Sequence, residues 1–139
     1  MTPKQIASVQ ESFQNVLPIK DRTAELFYRR LFELNPDLRS VFPEDLAEQR
    51  KKLMAALATV VSGLSQPDLI MPTIQQLGAR HVSYGSKPED FATVGEALIW
   101  TLGEGLGEKF EDDVREAWIE AYTLLSTVMI EAVKKVAAA

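Results

Sequence analysis

Apolar residues recur every three or four positions along nearly the whole chain. Ile6, Val9, Phe13, Val16 and Leu17 form the first such stripe, a spacing that lines one face of a helix. Thr2-Pro3-Lys4-Gln5 precedes it with a capping residue, a proline suited to a first helical turn and a glutamine placed to close a capping box. A second stripe, Ala24, Phe27, Tyr28, Leu31 and Phe32, ends where Asn35-Pro36 can cap a new short helix running to Phe42, stopped by Pro43. From about Pro43 to Gly63, the positions Leu46, Leu53, Ala56, Leu57, Val60 and Val61 mark a long helix, with the polar Gln49 one turn before Leu53 on the same stripe. After the loop residues Ser65 to Asp68, Leu69, Ile74, Leu77 and His81 predict one side of a helix that Gly85 can terminate. Pro88 opens the next, carrying Phe91, Val94, Leu98, Ile99 and Leu102 and closing near Gly103 to Gly107. The last begins near Asp112, repeats Val114, Trp118, Ala121, Tyr122, Leu125, Val128 and Met129, and frays into Ala137 to Ala139. No alternating strand pattern competes with these helices. The expected fold class is all-α: about seven helices, two of them short, in a single domain over residues 1–139.

Composition narrows the function. The apolar stretches are short and periodic, so no segment is expected to span a membrane, and the first ten residues lack the apolar core of a signal peptide. A net charge of −5, with no basic run longer than Arg50 to Lys52, argues against nucleic acid as a partner. The absence of cysteine excludes disulfides, thiolate metal sites and thioether-linked cofactors, and fits a reducing, cytoplasmic setting.

The candidate chemistry centres on "LGARHVSYG", residues 77–85, which holds the only histidine, His81. A lone histidine is ordinarily a surface or hydrogen-bonded core residue. Phe42 and Leu53 would suit any helical core, Tyr28 could merely send its hydroxyl to solvent, and Arg50 to Lys52 would ordinarily be solvated. Taken together with "FYRRLFELNPDLRSVF" (27–42), "QRKKLM" (49–54), "FATVGEALIWTLGEGLG" (91–107) and "AWIEAY" (117–122), however, the histidine segment resembles the single-domain globins of bacteria and, more distantly, the neuroglobins. Pro36, Phe42, Gln49 and His81 occur in that family's order.

The resemblance implies a globin fold packed around noncovalent haem b (iron protoporphyrin IX), with His81 the proximal iron ligand and Phe42 lying flat on the porphyrin. Tyr28, Gln49 and Leu53 would form the distal side, and Leu77 and Val94 would help enclose the pocket. Arg80, Tyr84 and Lys52 are candidates for the propionates. An imidazole ligates haem iron from one side and leaves the sixth position open to a gas. With one histidine in the chain, bis-histidine coordination within one subunit is excluded by counting. In a branch with peroxidase-like electronics the proximal histidine is bonded to a tyrosine and a glutamate. The matching positions here are Phe91 and Val133, neither of whose side chains can donate or accept, while Glu131 sits two residues, or about 200°, off that face. This argues against a strong peroxidase, and no residues remain for a fused flavin and nicotinamide reductase. The implied role is reversible dioxygen binding or transport, with carbon monoxide and nitric oxide as further ligands, by a monomer or weak homodimer. The alternatives are a nitric oxide dioxygenase working with a separate reductase, a haem-based gas sensor module, or a haem-free sensor of the same fold.

Overall fold

The structure, a computed structural model, describes residues 1–83 and 87–138. Among them six α-helices are present: α1 (Pro3–Val16), α2 (Lys20–Leu34), α3 (Ala47–Gly63), α4 (Pro67–Ser83), α5 (Pro88–Leu106) and α6 (Asp112–Ala138), with 3-10 turns at Leu17–Ile19, Pro36–Val41 and Gly107–Lys109. No described helix is long and apolar enough to cross a membrane.

Local chemistry accounts for the boundaries. The Gln5 amide donates to Thr2 Oγ1 at 3.1 Å and the Thr2 amide to Gln5 Oε1 at 2.9 Å, the reciprocal capping box its spacing predicts. Asn35 caps the Pro36–Val41 turn by accepting from the Asp37 amide at 3.2 Å. The long third helix starts at Ala47 rather than near Pro43. The Arg39 guanidinium donates to the carbonyls of Phe42, Pro43 and Glu44, the Ala47 amide donates to Asp45 Oδ1 at 3.0 Å, and the ladder opens with the Arg50 amide on the Leu46 carbonyl at 2.8 Å. Gly107, at φ +56°, ends α5 in a conformation that L side chains rarely adopt.

One apolar stripe needs correcting. Leu69 is 72 % exposed; the buried side of α4 runs through Ile70, Ile74 and Leu77. Leu69 lies one residue, about 100°, away from that stripe. The expected terminator Gly85 lies outside the described residues.

The helices enclose two neighbouring apolar clusters. The larger draws on α1, α2, α3, α5 and α6, including Val9, Phe13, Phe27, Tyr28, Leu31, Leu98, Leu102 and Trp118. Its buried polar residues are paired: Trp118 Nε1 donates to Ser12 Oγ at 2.8 Å, and the Thr23 and Thr101 hydroxyls donate to the carbonyls of Ile19 and Ala97. The smaller, Val60, Ile74, Phe91, Met129 and Val133, draws on α3, α4, α5 and α6. Gly78 brings α4 against α6 so closely that a Cβ there would lie 2.7 Å from the Met129 carbonyl oxygen. His81 follows Gly78 by three residues, so this seat also sets the height of the imidazole above α6.

Candidate functional site

Four helices, α2 to α5, and one loop carry the described residues singled out by the sequence. Tyr28 comes from the middle of α2, where its ring is 4 % exposed. Its hydroxyl donates to the Gln49 carbonyl across 3.4 Å. Burial pushes the Tyr28 pKa up, and a hydrogen bond from the Gln49 side chain partly offsets this. The two polar residues thus meet inside an otherwise apolar neighbourhood. Phe42, where the chain leaves the 3-10 turn, completes it: its ring packs edge-on against Tyr28 and Phe32, each 5.6 Å away between centres. Phe42, Leu53 and Val94 all remain half-buried at the border of the larger cluster.

His81 occupies the last turn of α4, half-buried. Its Nδ1 is hydrogen-bonded to the Leu77 carbonyl one turn earlier. A carbonyl can only accept, so Nδ1 carries the proton and the neutral ring has its lone pair on Nε2. The imidazole centre lies 5.6 Å from that of Phe91. Around it the smaller cluster supplies Phe91 and Val133 and, half-buried, Leu77, whereas Glu131 faces outward. Phe91 on α5 and Val133 on α6 are thus both buried and apolar.

Helix α5 connects the two sides. Phe91, Val94 and Leu98, at spacings of three and four, lead from the smaller cluster to the larger. Lys52 and Arg80 are exposed, and Tyr84 lies outside the described residues. Periodicity missed two polar contributors. Tyr122, read only as part of an apolar stripe, donates its hydroxyl to the Phe91 carbonyl at 2.6 Å. Arg39 was not singled out at all. Neither carries a spacing signal, because each acts on a backbone carbonyl.

The donor set decides what could be held here. No group of three His, Cys, Asp or Glu side chains able to grip a bare metal ion exists among the described residues. A single imidazole beside half-buried aromatic and aliphatic side chains suits instead a metal whose remaining in-plane ligands arrive with a flat, apolar macrocycle. The two cavities described are elsewhere: an open groove of about 500 Å³ between the end of α3 and the start of α4, and an internal void of about 20 Å³ beneath Trp118.

The fold is all-helical, with one oriented imidazole at the end of α4 and an aromatic cluster around Tyr28 and Phe42. The globin sequence profile matches residues 25–129, and the chain belongs to the globin family. It is 36 % identical over 107 residues to a flavohaemoprotein of Chromobacterium violaceum and 34 % identical over 112 residues to one of Halalkalibacterium halodurans, alignments covering 75 % and 78 % of this chain. They cover only 26 % and 27 % of those relatives, so the chain spans about a quarter of their length. Among solved structures, an engineered carbene transferase derived from a proposed nitric oxide dioxygenase of Rhodothermus marinus superposes with a TM-score of 0.89 at 25 % identity, over 99 % of this chain and 96 % of that one. A bacterial globin of Campylobacter jejuni shares the fold, with a TM-score of 0.83 at 21 % identity over 99 % of this chain and all of that one. Family membership and the flavohaemoprotein relatives imply that haem is bound.

Proposed function

We propose that this chain is a single-domain globin that binds haem b noncovalently through His81 and reversibly takes up dioxygen, with carbon monoxide and nitric oxide as further ligands. The observation that carries the reading is the His81 tautomer. With Nδ1–H committed to the Leu77 carbonyl, Nε2 presents the lone pair a haem iron needs, and the ring is oriented before any ligand arrives. Haem held in this way supplies one open coordination position for a diatomic gas.

The protein's own contribution is to orient, donate and exclude water. Tyr28 supplies a hydroxyl, beside the Gln49 backbone, and Gln49 a side-chain amide, both able to donate to a ligand that carries partial negative charge. Phe42, Leu53 and Val94 keep the pocket apolar and limit water entry. Leu77 packs beside the imidazole, and Arg80, Lys52 and Tyr84 are the candidates for the propionates. The positions that match the hydrogen-bonding pair of the peroxidase-like branch are Phe91 and Val133, both in the smaller apolar cluster, and neither side chain can supply the electron push that peroxide cleavage requires. A cysteine-free chain suits the cytoplasm, and we assign a monomer or weak homodimer.

A second reading is favoured by the likeness to the Rhodothermus marinus protein. Here nitric oxide and dioxygen combine to nitrate, and a separate reductase returns the one electron lost in each cycle. Titrating the chain with haem and then following nitric oxide consumption, with and without a flavin reductase and reduced nicotinamide, tests both readings. Haem uptake with one stoichiometric turnover supports the gas-binding globin; sustained consumption at a rate set by the reductase supports the dioxygenase. No haem uptake refutes both.

A further inference from the structure

Arg39 sits in the Pro36–Val41 turn and reaches across the loop that follows it. Its Nη1 donates to the carbonyls of Phe42 and Pro43 at 3.4 and 3.0 Å, and its Nη2 donates to that of Glu44 at 2.9 Å. The Phe42 amide returns a bond to the Arg39 carbonyl at 3.3 Å. On its other side the guanidinium carbon lies 5.3 Å from the centre of the Phe32 ring. Phe32 in turn packs against Phe42, and Phe42 against Tyr28.

We propose that Arg39 is a positioning residue for Phe42, and that retention of the prosthetic group depends on its guanidinium fork rather than on its positive charge. The segment from Phe42 to Leu46 has no helix or strand ladder of its own, and Pro43 offers no amide. Three successive carbonyls therefore rely on one side chain whose rigid, planar set of donors can serve them together while lying on an aromatic face. A lysine has a compact ammonium on a flexible stem and cannot reproduce that geometry. The loop's far end, at Ala47, is where α3 begins, so the same side chain also fixes the approach of the helix that carries Gln49 and Leu53. Arg39 thus couples one wall of the site to the loop. This inference rests on the reading of Phe42 as a haem contact.

Arg39→Lys and Arg39→Met, compared with the parent full-length chain, separate the possibilities. Amide hydrogen exchange at Phe42 and Ala47, whose amides bond the Arg39 carbonyl and Asp45 Oδ1, is expected to accelerate by about tenfold or more in both variants, with α1 and α6 unchanged, because the loop that holds them loses its local, charge-assisted bonds. Transfer of ferric haem to excess apomyoglobin is expected to quicken by about five- to twentyfold in both, and the carbon monoxide stretch of the ferrous complex to broaden as Phe42 samples more than one position. A lysine variant with parental exchange and haem loss would overturn the proposal, since charge alone would suffice. So would faster exchange with unchanged haem loss and an unchanged stretch, which would reduce Arg39 to a loop clasp. If the parent chain takes up no haem, the globin reading itself fails, and the exchange measurement still decides whether the guanidinium holds the loop.

Discussion

The Tyr122 hydroxyl donates to the Phe91 carbonyl at 2.6 Å, tying the middle of α6 to the first turn of α5. The same ring fills the space over Gly95, where a Cβ would meet Tyr122 Cε2 at 2.7 Å. Since the Phe91 side chain borders His81, this bond fixes the apolar surface against which the imidazole rests.

Replacing Tyr122 with phenylalanine keeps the ring and deletes the bond, so stability should fall by about 1 kcal/mol. The variant also changes the alkaline limb of the stability profile. Burial pushes the Tyr122 hydroxyl well above its ordinary pKa, and Tyr28 is raised too, burial again being the larger cause. Both groups keep their protons in the folded chain when the unfolded chain has begun to lose them. Their contribution is complete below the unfolded value of about 10 and declines as pH rises past it, by at most about 1.4 kcal/mol per unit for each group. Urea denaturation at pH 8, 10 and 11 should show a shallower alkaline decline for Tyr122→Phe than for the parent.

Gly78→Ala tests the seat of α4. A methyl group there would lie 2.7 Å from the Met129 carbonyl oxygen and 2.8 Å from its Cα, both backbone atoms that cannot rotate aside. The helices must separate, at a cost of about 1–3 kcal/mol despite alanine's better helix propensity. Thermal unfolding should register the loss, and the ferrous proximal iron–histidine stretch should shift, because His81 rides on the displaced turn. An unchanged melting temperature and an unchanged stretch would show that the close approach is not needed.

Much of this arrangement was legible from spacing. The capping box at Thr2, the cap at Asn35, the starts of α5 and α6 and the buried stripes of α1, α2 and α6 all follow from local rules that operate within a few residues. Leu69 has the apolar identity of the α4 stripe but not its angle, which Ile70 and Ile74 define. The start of α3 is not legible from spacing, because the residues from Phe42 to Glu44 are held by a side chain earlier in the chain. Tyr28 and Gln49 could be paired only through a family resemblance, as they lie 21 residues apart on different helices. Tyr122 and Gly95 could not be paired at all, since their contact depends on how two long helices cross.

Tyr28→Phe should speed dioxygen dissociation and affect carbon monoxide much less. A hydrogen bond to a charged or strongly polarised partner contributes about 1.5–3 kcal/mol, or about ten- to a hundredfold in rate. The long 3.4 Å contact to the Gln49 carbonyl is a weak competitor for the hydroxyl, which favours the ligand as acceptor. Stopped-flow dissociation of both gases reads the difference. Equal effects on the two would assign Tyr28 a packing role only.

The central claim is that His81 is the protein's bond to haem iron, and absorption spectroscopy of the haem-loaded chain beside His81→Ala tests it most directly. The parent should show a strong Soret band that shifts sharply when the ferrous form takes carbon monoxide. His81→Ala should lose tight haem binding while keeping helical circular dichroism, with lower stability because bound haem no longer favours the native state; added imidazole should restore a parental carbon monoxide spectrum. Retention of haem by His81→Ala with ferric and ferrous spectra identical to the parent's would contradict the assignment.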